Sequence, residues 1–210
     1  MSVASQIAAS IRGWLFHDEP EELERLAVGK TVLEVGSYCG KSTVIMARVA
    51  KKVVAIDDFR GAPCSNINPD SGGIAHDCGP SLRQTFFDNL EKYQVSSKVT
   101  SIVASFESAI AMLDLSNVGL VFYDSDHRYE PTYQGGRFLL ERVPPNCTVA
   151  FHDYNSSDPG VIKAVDQLSR ETGRPFRTVN TLAIFDGRPV PPLPDAISDV
   201  APEATENITG

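Results

Sequence analysis

VLEVGSYCG, residues 32–40, is the stretch of sequence that decides how this chain folds. Its apolar first half predicts a buried strand, and the two glycines predict a tight turn leading into a helix over residues 41–49. Glycine lets a backbone approach a ligand closely, and the start of a helix offers free N–H groups. The spacing is G-x-x-x-G, whereas a dinucleotide fingerprint requires G-x-G-x-x-G. Gly36 and Gly40 therefore form either a ligand-binding turn or only a tight corner between strand and helix.

Strand-like and helix-like segments alternate along the rest of the chain. Short apolar runs predict strands over residues 31–35, 53–56, 99–103, 118–123 and 148–151, with a closing hairpin over 176–179 and 182–185. Periodic segments predict helices over residues 81–93, 106–113, 130–142 and 159–172, with Ser105 and Asp158 as N-caps. This order predicts an α/β fold, a three-layer Rossmann-like sandwich. Its seven-stranded sheet is mostly parallel, with an antiparallel C-terminal hairpin strand.

Three parts are predicted along the chain: N-terminal helices over residues 1–29, a central domain over 30–186 and a tail over 187–210. An amphipathic helix over residues 2–16 places one apolar face on the domain, and Trp14 on that face is expected in the core. A second helix starts near Pro20 and stops at Gly29. The tail is Pro-rich, acidic and short of aromatic residues, which predicts disorder.

Residues 60–80 are rich in Gly and Pro and lack periodicity, which predicts a long loop. Loops of this length are usually functional lids or disordered segments. His76 would face a site only if the loop closes as a lid. Cys64 and Cys78 either remain reduced thiols, which is the default, or pair with each other or bind a metal with His76.

The bulk composition excludes several classes of protein. A formal net charge of −8 argues against sequence-independent nucleic-acid binding, because phosphate contacts need clustered Lys and Arg. No apolar run approaches the length of a membrane-spanning helix, and Arg12 interrupts the short apolar stretch near the amino terminus. The four cysteines are scattered, which favours reduced thiols. We expect a cytoplasmic protein without nucleic-acid or membrane partners, and leave a homo-oligomer open.

Acidic and imidazole side chains follow two of the predicted strands. Asp124-Ser-Asp126-His127 comes after the strand over 118–123, and His152-Asp153 comes after the strand over 148–151. Ionisable residues there are costly unless something binds them, and ligands in open parallel sheets sit outside the carboxyl ends of the strands. The pattern predicts a metal site with a base beside it. The alternatives are helix caps for the aspartates and hydrogen-bonded core positions for the histidines.

Two further acids stand near the glycine turn. Glu34 lies inside the first strand, where a carboxylate would repel a pyrophosphate but suits a ligand that is cationic or lacks phosphate. Asp57 follows the second strand about twenty residues later, a position suited to accept hydrogen bonds from ribose hydroxyls. Asp58 is the alternative if the strand ends one residue later.

Glu34-Val-Gly36 together with Asp57 resembles the first two cofactor motifs of the class I S-adenosylmethionine-dependent methyltransferases. The resemblance covers roughly residues 20–186 by the order and spacing of elements. It implies that the glycine turn passes under the methionine part of the cofactor, that Asp57 holds the ribose and that Ser105-Phe106 contact the adenine. The implied cofactor-binding residues are Glu34, Gly36, Ser37, Tyr38, Gly40, Asp57, Ser105, Phe106 and Asp124.

The second pair of motifs resembles the metal-dependent O-methyltransferases of the catechol and caffeoyl type. It is closer to bacterial sugar- and macrolide-modifying relatives with D-x-D-H-x-Y. The resemblance implies Asp124, His152 and Asp153 as ligands of a divalent cation and His127 as general base. Relatives usually present an acid or amide where this chain has His152. Magnesium prefers oxygen ligands, so His152 either widens the choice towards manganese, iron or zinc or points away as a partner of Asp153.

These observations predict divalent-metal-assisted methyl transfer from S-adenosylmethionine to a hydroxyl of a small molecule, such as a sugar or natural product. Two alternatives stand beside this prediction. One is a metal-dependent hydrolase or oxygenase that uses the same Asp/His cluster. The other is a non-catalytic cofactor-binding protein of the same fold.

Overall fold

A computed structural model describes residues 1–60 and 80–188 of the chain. Within them, seven strands form one sheet. The strands are β1 (Thr31–Val35), β2 (Lys52–Asp57), β3 (Val99–Val103), β4 (Leu120–Tyr123), β5 (Thr148–Phe151), β6 (Arg177–Val179) and β7 (Leu182–Phe185). Their order in the sheet is β3-β2-β1-β4-β5-β7-β6. The first five strands in that order are parallel, β7 pairs antiparallel with β5, and β6 pairs antiparallel with β7. The predicted fold class is confirmed.

Helices cover both faces of the sheet, as expected where successive strand residues point to opposite faces. The helices are α1 (Val3–Ser10), α2 (Glu19–Ala27), α3 (Lys41–Val49), α4 (Pro80–Lys92), α5 (Phe106–Ile110), α6 (Tyr129–Arg142) and α7 (Pro159–Thr172). In β1, Val32 packs into the core on the side of α1 to α4, whereas Leu33 packs into the core on the side of α5 to α7.

The N-terminal helix is shorter than predicted. α1 ends at Ser10, Ile11 takes an extended conformation, and Gly13 has a φ of 135° that turns the chain away from the helix axis. Ile7, Ile11 and Leu15 are buried as expected. The prediction that Trp14 lies in the core is wrong, because its side chain is 47% exposed on the segment after the helix. The segment over residues 12–15 instead forms one wall of a cavity.

Several predictions concern the termini and loops. None of the helices within residues 1–60 and 80–188 is long and apolar enough to cross a membrane. Cys39 and Cys147 are buried thiols on opposite faces of the sheet. The predicted loop with His76, Cys64 and Cys78 lies outside the described residues except at its ends, as does nearly all of the predicted tail.

Candidate active site

A cavity of about 650 Å³ opens at the carboxyl ends of β1, β2, β4 and β5. Its volume lies in the range of small-molecule sites, and its position is where open α/β sheets bind ligands. The structure brings together at this cavity the following predicted site residues: Gly36, Ser37, Tyr38, Asp57, Ser105, Phe106, Asp124, His127, His152 and Asp153.

The glycine turn after β1 is required by close packing. Gly36 has a φ of 85°, and a Cβ atom there would lie 1.8 Å from the main-chain oxygen of Asp124. Gly40 has a φ of 83° at the N-cap of α3, where a Cβ atom would lie 3.1 Å from the ring of Phe86. Left-handed backbone at both positions favours glycine. Gly36 therefore presses the turn against the end of β4, and Gly40 starts α3.

Glu34 lies beneath this turn with a fully buried side chain. Its carboxylate accepts hydrogen bonds from Ser37 Oγ at 2.9 Å, Ser42 Oγ at 2.6 Å and Thr43 Oγ1 at 2.5 Å. Burial raises the pKa of Glu34 to about 7, although the three hydroxyls oppose the shift. The structure thus places Glu34 as the support of the turn and of the first residues of α3, and a cofactor contact by Glu34 stays a prediction.

Asp57 ties the end of β2 to the same turn. Its Oδ2 accepts hydrogen bonds from the backbone N–H groups of Ser37 at 2.7 Å and Tyr38 at 2.9 Å. Its Oδ1 accepts from Phe59 N at 2.6 Å. The neighbouring Asp58 also lines the cavity and accepts from the backbone N–H of Arg60 at 2.9 Å. Asp57 therefore orders the turn, and its predicted ribose contact stays a prediction.

The predicted adenine-binding residues lie on the α5 side of the cavity. Ser105 is the N-cap of α5 and accepts a hydrogen bond from Ser108 N, which confirms the capping prediction. The Phe106 ring packs edge-on against Tyr123 with ring centroids 5.7 Å apart. Phe106 and Tyr123 both line the cavity, so this part of its wall is apolar.

Two imidazoles and three carboxylates meet at the ends of β4 and β5, and we call these residues the acid–imidazole cluster: Asp124, His127, His152, Asp153 and Asp158. His152 Nδ1 lies 3.3 Å from Asp124 Oδ1 and 3.1 Å from Asp153 Oδ2. His127 Nε2 lies 3.1 Å from Asp153 Oδ2 and 3.7 Å from Asp124 Oδ1. His127 Nδ1 lies 3.1 Å from Asp158 Oδ1. Donor atoms of Asp124, His152 and Asp153 lie close enough together to share one cation.

The carboxylates of the cluster change the protonation of both rings. Burial lowers the pKa of His127, but Asp124, Asp153 and Asp158 outweigh it and raise that pKa to about 9. Burial also opposes protonation of His152, yet the neighbouring carboxylates hold its pKa well above the ordinary value. Burial would raise the pKa of Asp124, but the two imidazoles hold it below its usual range. The cluster therefore attracts positive charge.

Sequence reasoning missed a carboxylate behind His152. Glu19, in the first turn of α2, is fully buried, and its Oε2 lies 3.3 Å from His152 Nε2. Burial opposes ionisation of Glu19, but hydrogen bonds led by the one from His152 hold its pKa below the ordinary value. The two residues are 133 positions apart, so local spacing held no signal beyond an acid at a helix start.

The role of Asp158 also differs from the prediction. It occupies the N-cap position of α7, but within the described chain its side chain makes no capping hydrogen bond and contacts His127 instead. Gly160 allows this approach, because a Cβ atom there would lie 2.4 Å from the main-chain oxygen of His127. Asp126 forms an ion pair with Arg128.

The architecture is similar to that of solved methyltransferase structures. Cofactor-bound Rv0187 from MTB has a TM-score of 0.62 and 19% identity, covering 89% of this chain and 87% of that chain. The calicheamicin methyltransferase CalS11 has a TM-score of 0.62 and 16% identity, covering 87% and 83%. The O-methyltransferase TomG from Streptomyces achromogenes, solved with SAM and involved in tomaymycin synthesis, has a TM-score of 0.59 and 16% identity, covering 83% and 82%. These similarities define the class by its fold.

The sequence carries the identification further. Residues 33–154, more than half of the chain, match the model of a methyltransferase domain family. A search of curated proteins returned no significant match. The chain belongs to the methyltransferase domain family, and the predicted enzyme class, an S-adenosylmethionine-dependent methyltransferase, is confirmed. This membership favours methyl transfer over the hydrolase or oxygenase alternative.

Proposed function

We propose that this enzyme transfers a methyl group from S-adenosylmethionine to a hydroxyl of a small molecule, assisted by a divalent cation. The observation that carries the proposal is that the glycine turn and the acid–imidazole cluster border one cavity, with Gly36 packed against the main chain of Asp124. A donor on the turn and an acceptor on the cluster would therefore meet. Holding two reactants in this way supplies a large part of the rate of a transfer reaction.

The cofactor side is proposed to use the turn over residues 36–40 for the methionine part, Asp57 for the ribose, and Ser105 with Phe106 for the adenine. Ser37 and Tyr38 line the cavity, and their backbone is already fixed by Asp57. S-adenosylmethionine bound there supplies the sulfonium methyl group. Its positive charge suits a cavity whose rim carries Asp57, Asp58 and Asp124.

The chemistry of the donor set fits a divalent cation held by Asp124, His152 and Asp153. Two carboxylates and an imidazole nitrogen already converge, and Asp158 and Glu19 add further negative charge around the two rings. Carboxylates bind magnesium or manganese, while the imidazole favours manganese or another transition metal. A bound cation would lower the pKa of a coordinated hydroxyl and fix its oxygen for attack.

His127 is proposed as the general base. Its Nε2 faces the cluster, whereas Nδ1 faces Asp158, so the proton of the acceptor hydroxyl is taken at Nε2. Asp124 and Asp153, once neutralised by a cation, no longer favour the charged form of the ring. The acceptor oxygen then forms a bond to the methyl carbon, the carbon–sulfur bond breaks with its electrons moving to sulfur, and the proton leaves through His127.

The acceptor is proposed to carry a ring that stacks at the outer wall of the cavity. Trp14 and Tyr38 line it with ring centroids 5.5 Å apart, and Trp14 is half exposed. Aromatic faces of this kind bind flat or ring-shaped ligands. A cytoplasmic location and the absence of nucleic-acid and membrane partners stay predictions from the sequence, a homo-oligomer stays open, and the three-part domain organisation stays a proposal.

Calorimetric titration tests the two halves of the proposal separately. S-adenosylhomocysteine, the product of the donor, is expected to bind with one site per chain, and Mn²⁺ is expected to bind at a second site. Asp153→Asn should abolish Mn²⁺ binding and spare product binding, because Asn also accepts the φ of 58° at this position. A protein that binds no S-adenosylhomocysteine would overturn the proposal. A protein that binds S-adenosylhomocysteine but does not bind Mn²⁺ would overturn the metal-assisted part of the proposal.

A further inference from the structure

Glu19 joins three separate parts of the chain through one buried carboxylate. Its Oε1 accepts hydrogen bonds from Thr181 N at 2.9 Å and Thr181 Oγ1 at 2.6 Å, in the turn between β6 and β7. Its Oε2 accepts from Phe16 N at 2.8 Å and lies 3.3 Å from His152 Nε2. The side chains of Glu19 and His152 are 0% and 1% exposed, so the contact between them is shielded from water.

This arrangement fixes which nitrogen of His152 faces Glu19 and which faces the cation site. An ionised carboxylate only accepts hydrogen bonds, so His152 must donate Nε2–H to Glu19. The other nitrogen, Nδ1, then points at Asp124 Oδ1 and Asp153 Oδ2, at 3.3 Å and 3.1 Å. A metal-ligating imidazole commonly donates its second N–H to a carboxylate, which fixes the tautomer and the ring orientation.

We propose that Glu19 is a positioning residue that locks His152 with Nδ1 directed at the cation site and so gives this site a preference for Mn²⁺ over Mg²⁺. The inference rests on the proposed cation site. It assigns a role in the site to helix α2, which lies outside the matched family region, residues 33–154. A nitrogen ligand held in place favours a transition metal over Mg²⁺, which prefers an all-oxygen shell.

The tautomer is measured first, by long-range ¹H–¹⁵N correlation spectra of histidine-labelled protein without added metal. The chain has four histidines, and His152→Gln assigns the resonance. We expect the proton of wild-type His152 on Nε2 in both the neutral and the charged ring, with Nδ1 losing its proton when Zn²⁺, a diamagnetic substitute for Mn²⁺ in this spectrum, is added. In Glu19→Gln the amide cannot accept at both former carboxylate oxygens, so His152 should show a mixture of tautomers.

Cation affinity is measured next, by calorimetry with Mn²⁺ and with Mg²⁺ as separate titrants. Glu19→Gln is expected to raise the Kd of Mn²⁺ about tenfold or more while changing that of Mg²⁺ less, so the preference for Mn²⁺ falls. Two control variants are matched to Glu19→Gln. Thr181→Val removes a hydrogen-bond donor from Glu19 Oε1, the carboxylate oxygen that does not contact His152. Glu21→Gln changes another acid of helix α2, whose carboxylate accepts hydrogen bonds from Ser2 and Ser5. Both controls should keep the wild-type ratio of the two Kd values.

The possible outcomes distinguish a failure of the inference about Glu19 from a failure of the proposed metal-assisted function. If wild type binds Mn²⁺ and Glu19→Gln keeps both the wild-type Kd ratio and the Nε2–H tautomer, Glu19 only supports the fold and the inference is overturned. If wild type binds neither cation, the metal-assisted function falls together with the inference. A thermal unfolding curve for each variant shows that the measured protein is folded.

Discussion

The two sides of the cavity satisfy their carboxylates in different ways. On the turn side, Glu34 and Asp57 accept hydrogen bonds from hydroxyl and N–H groups of the segment that they support. On the cluster side, Asp124 and Asp153 face imidazoles, and the surrounding acids leave negative charge that a bound partner would balance. The turn side is therefore complete without a ligand, whereas the geometry of the cluster side depends on protonation and on what binds.

The largest expected effect is on the contact that joins the two sides. In Gly36→Ala, the new Cβ atom would overlap the main-chain oxygen of Asp124, from which an ideal Cβ is 1.8 Å away. We expect a loss of at least about 5 kcal/mol in the free energy of unfolding, or no folded protein. Urea denaturation measures it. Gly29→Ala is the control, because Gly29 also has a positive φ but has open space around it. Equal losses in both variants would refute the close-packing argument.

The next effect separates chemistry from binding. In His127→Asn the proposed base is lost, so kcat should fall by about 10²- to 10⁴-fold. The turn side does not involve this ring, so the affinity for S-adenosylhomocysteine should stay within a factor of about two. Single-turnover methyl transfer and calorimetry measure the two quantities. A variant with wild-type kcat would show that the cluster supplies no base at this position.

A third effect concerns the acid beneath the turn. Because the pKa of Glu34 is raised from 4.5 to about 7, the folded chain holds this proton more tightly than the unfolded chain does. Its contribution to stability is fully present below pH 4.5 and is lost as the pH rises to about 7, by about 3 kcal/mol. In Glu34→Gln the three hydroxyls can reorient around the amide, so this slope should vanish.

Chemical denaturation of wild type and Glu34→Gln at several pH values between 4 and 8 measures the third effect. The difference between the two free energies of unfolding isolates Glu34 from other titrating groups. A difference that is constant over this range would show that folding leaves the pKa of Glu34 unshifted, and burial beneath the turn would then not favour its protonated form.

The smallest expected effect concerns the partner of the base. Asp158 contacts His127 Nδ1, and Asn at the N-cap position preserves the start of α7. Asp158→Asn should lower kcat by about tenfold with unchanged stability, because the ring loses a charged acceptor that orients it. Steady-state kinetics and a thermal unfolding curve measure the change. An equal loss in Asp166→Asn, on the same helix, would argue against this specific role.

The fold was predictable because each strand combines apolar residues with a clear turn signal. The strands ending at Tyr123 and Phe151 were placed correctly, and their order brought Asp124 and Asp153 to one cavity as expected. The hydrophobic pattern gave a wrong prediction where the backbone conformation of a single residue determines the end of a helix. The apolar face over residues 2–16 suggested one helix, but Gly13 turns the chain, and Trp14 is exposed. Glu19 was missed because its partner is distant in sequence.

One oxygen atom has a consequence for any attempt to dissect the cluster. Asp153 Oδ2 lies 3.1 Å from His127 Nε2 and also 3.1 Å from His152 Nδ1. The proposed base and the proposed ligand therefore compete for a single acceptor, and a change at either ring frees that acceptor for the other. Energies measured for the two histidines separately will not add, since residues that share a partner are thermodynamically coupled. Evolutionary replacement of one ring would accordingly alter the selective constraint on the other.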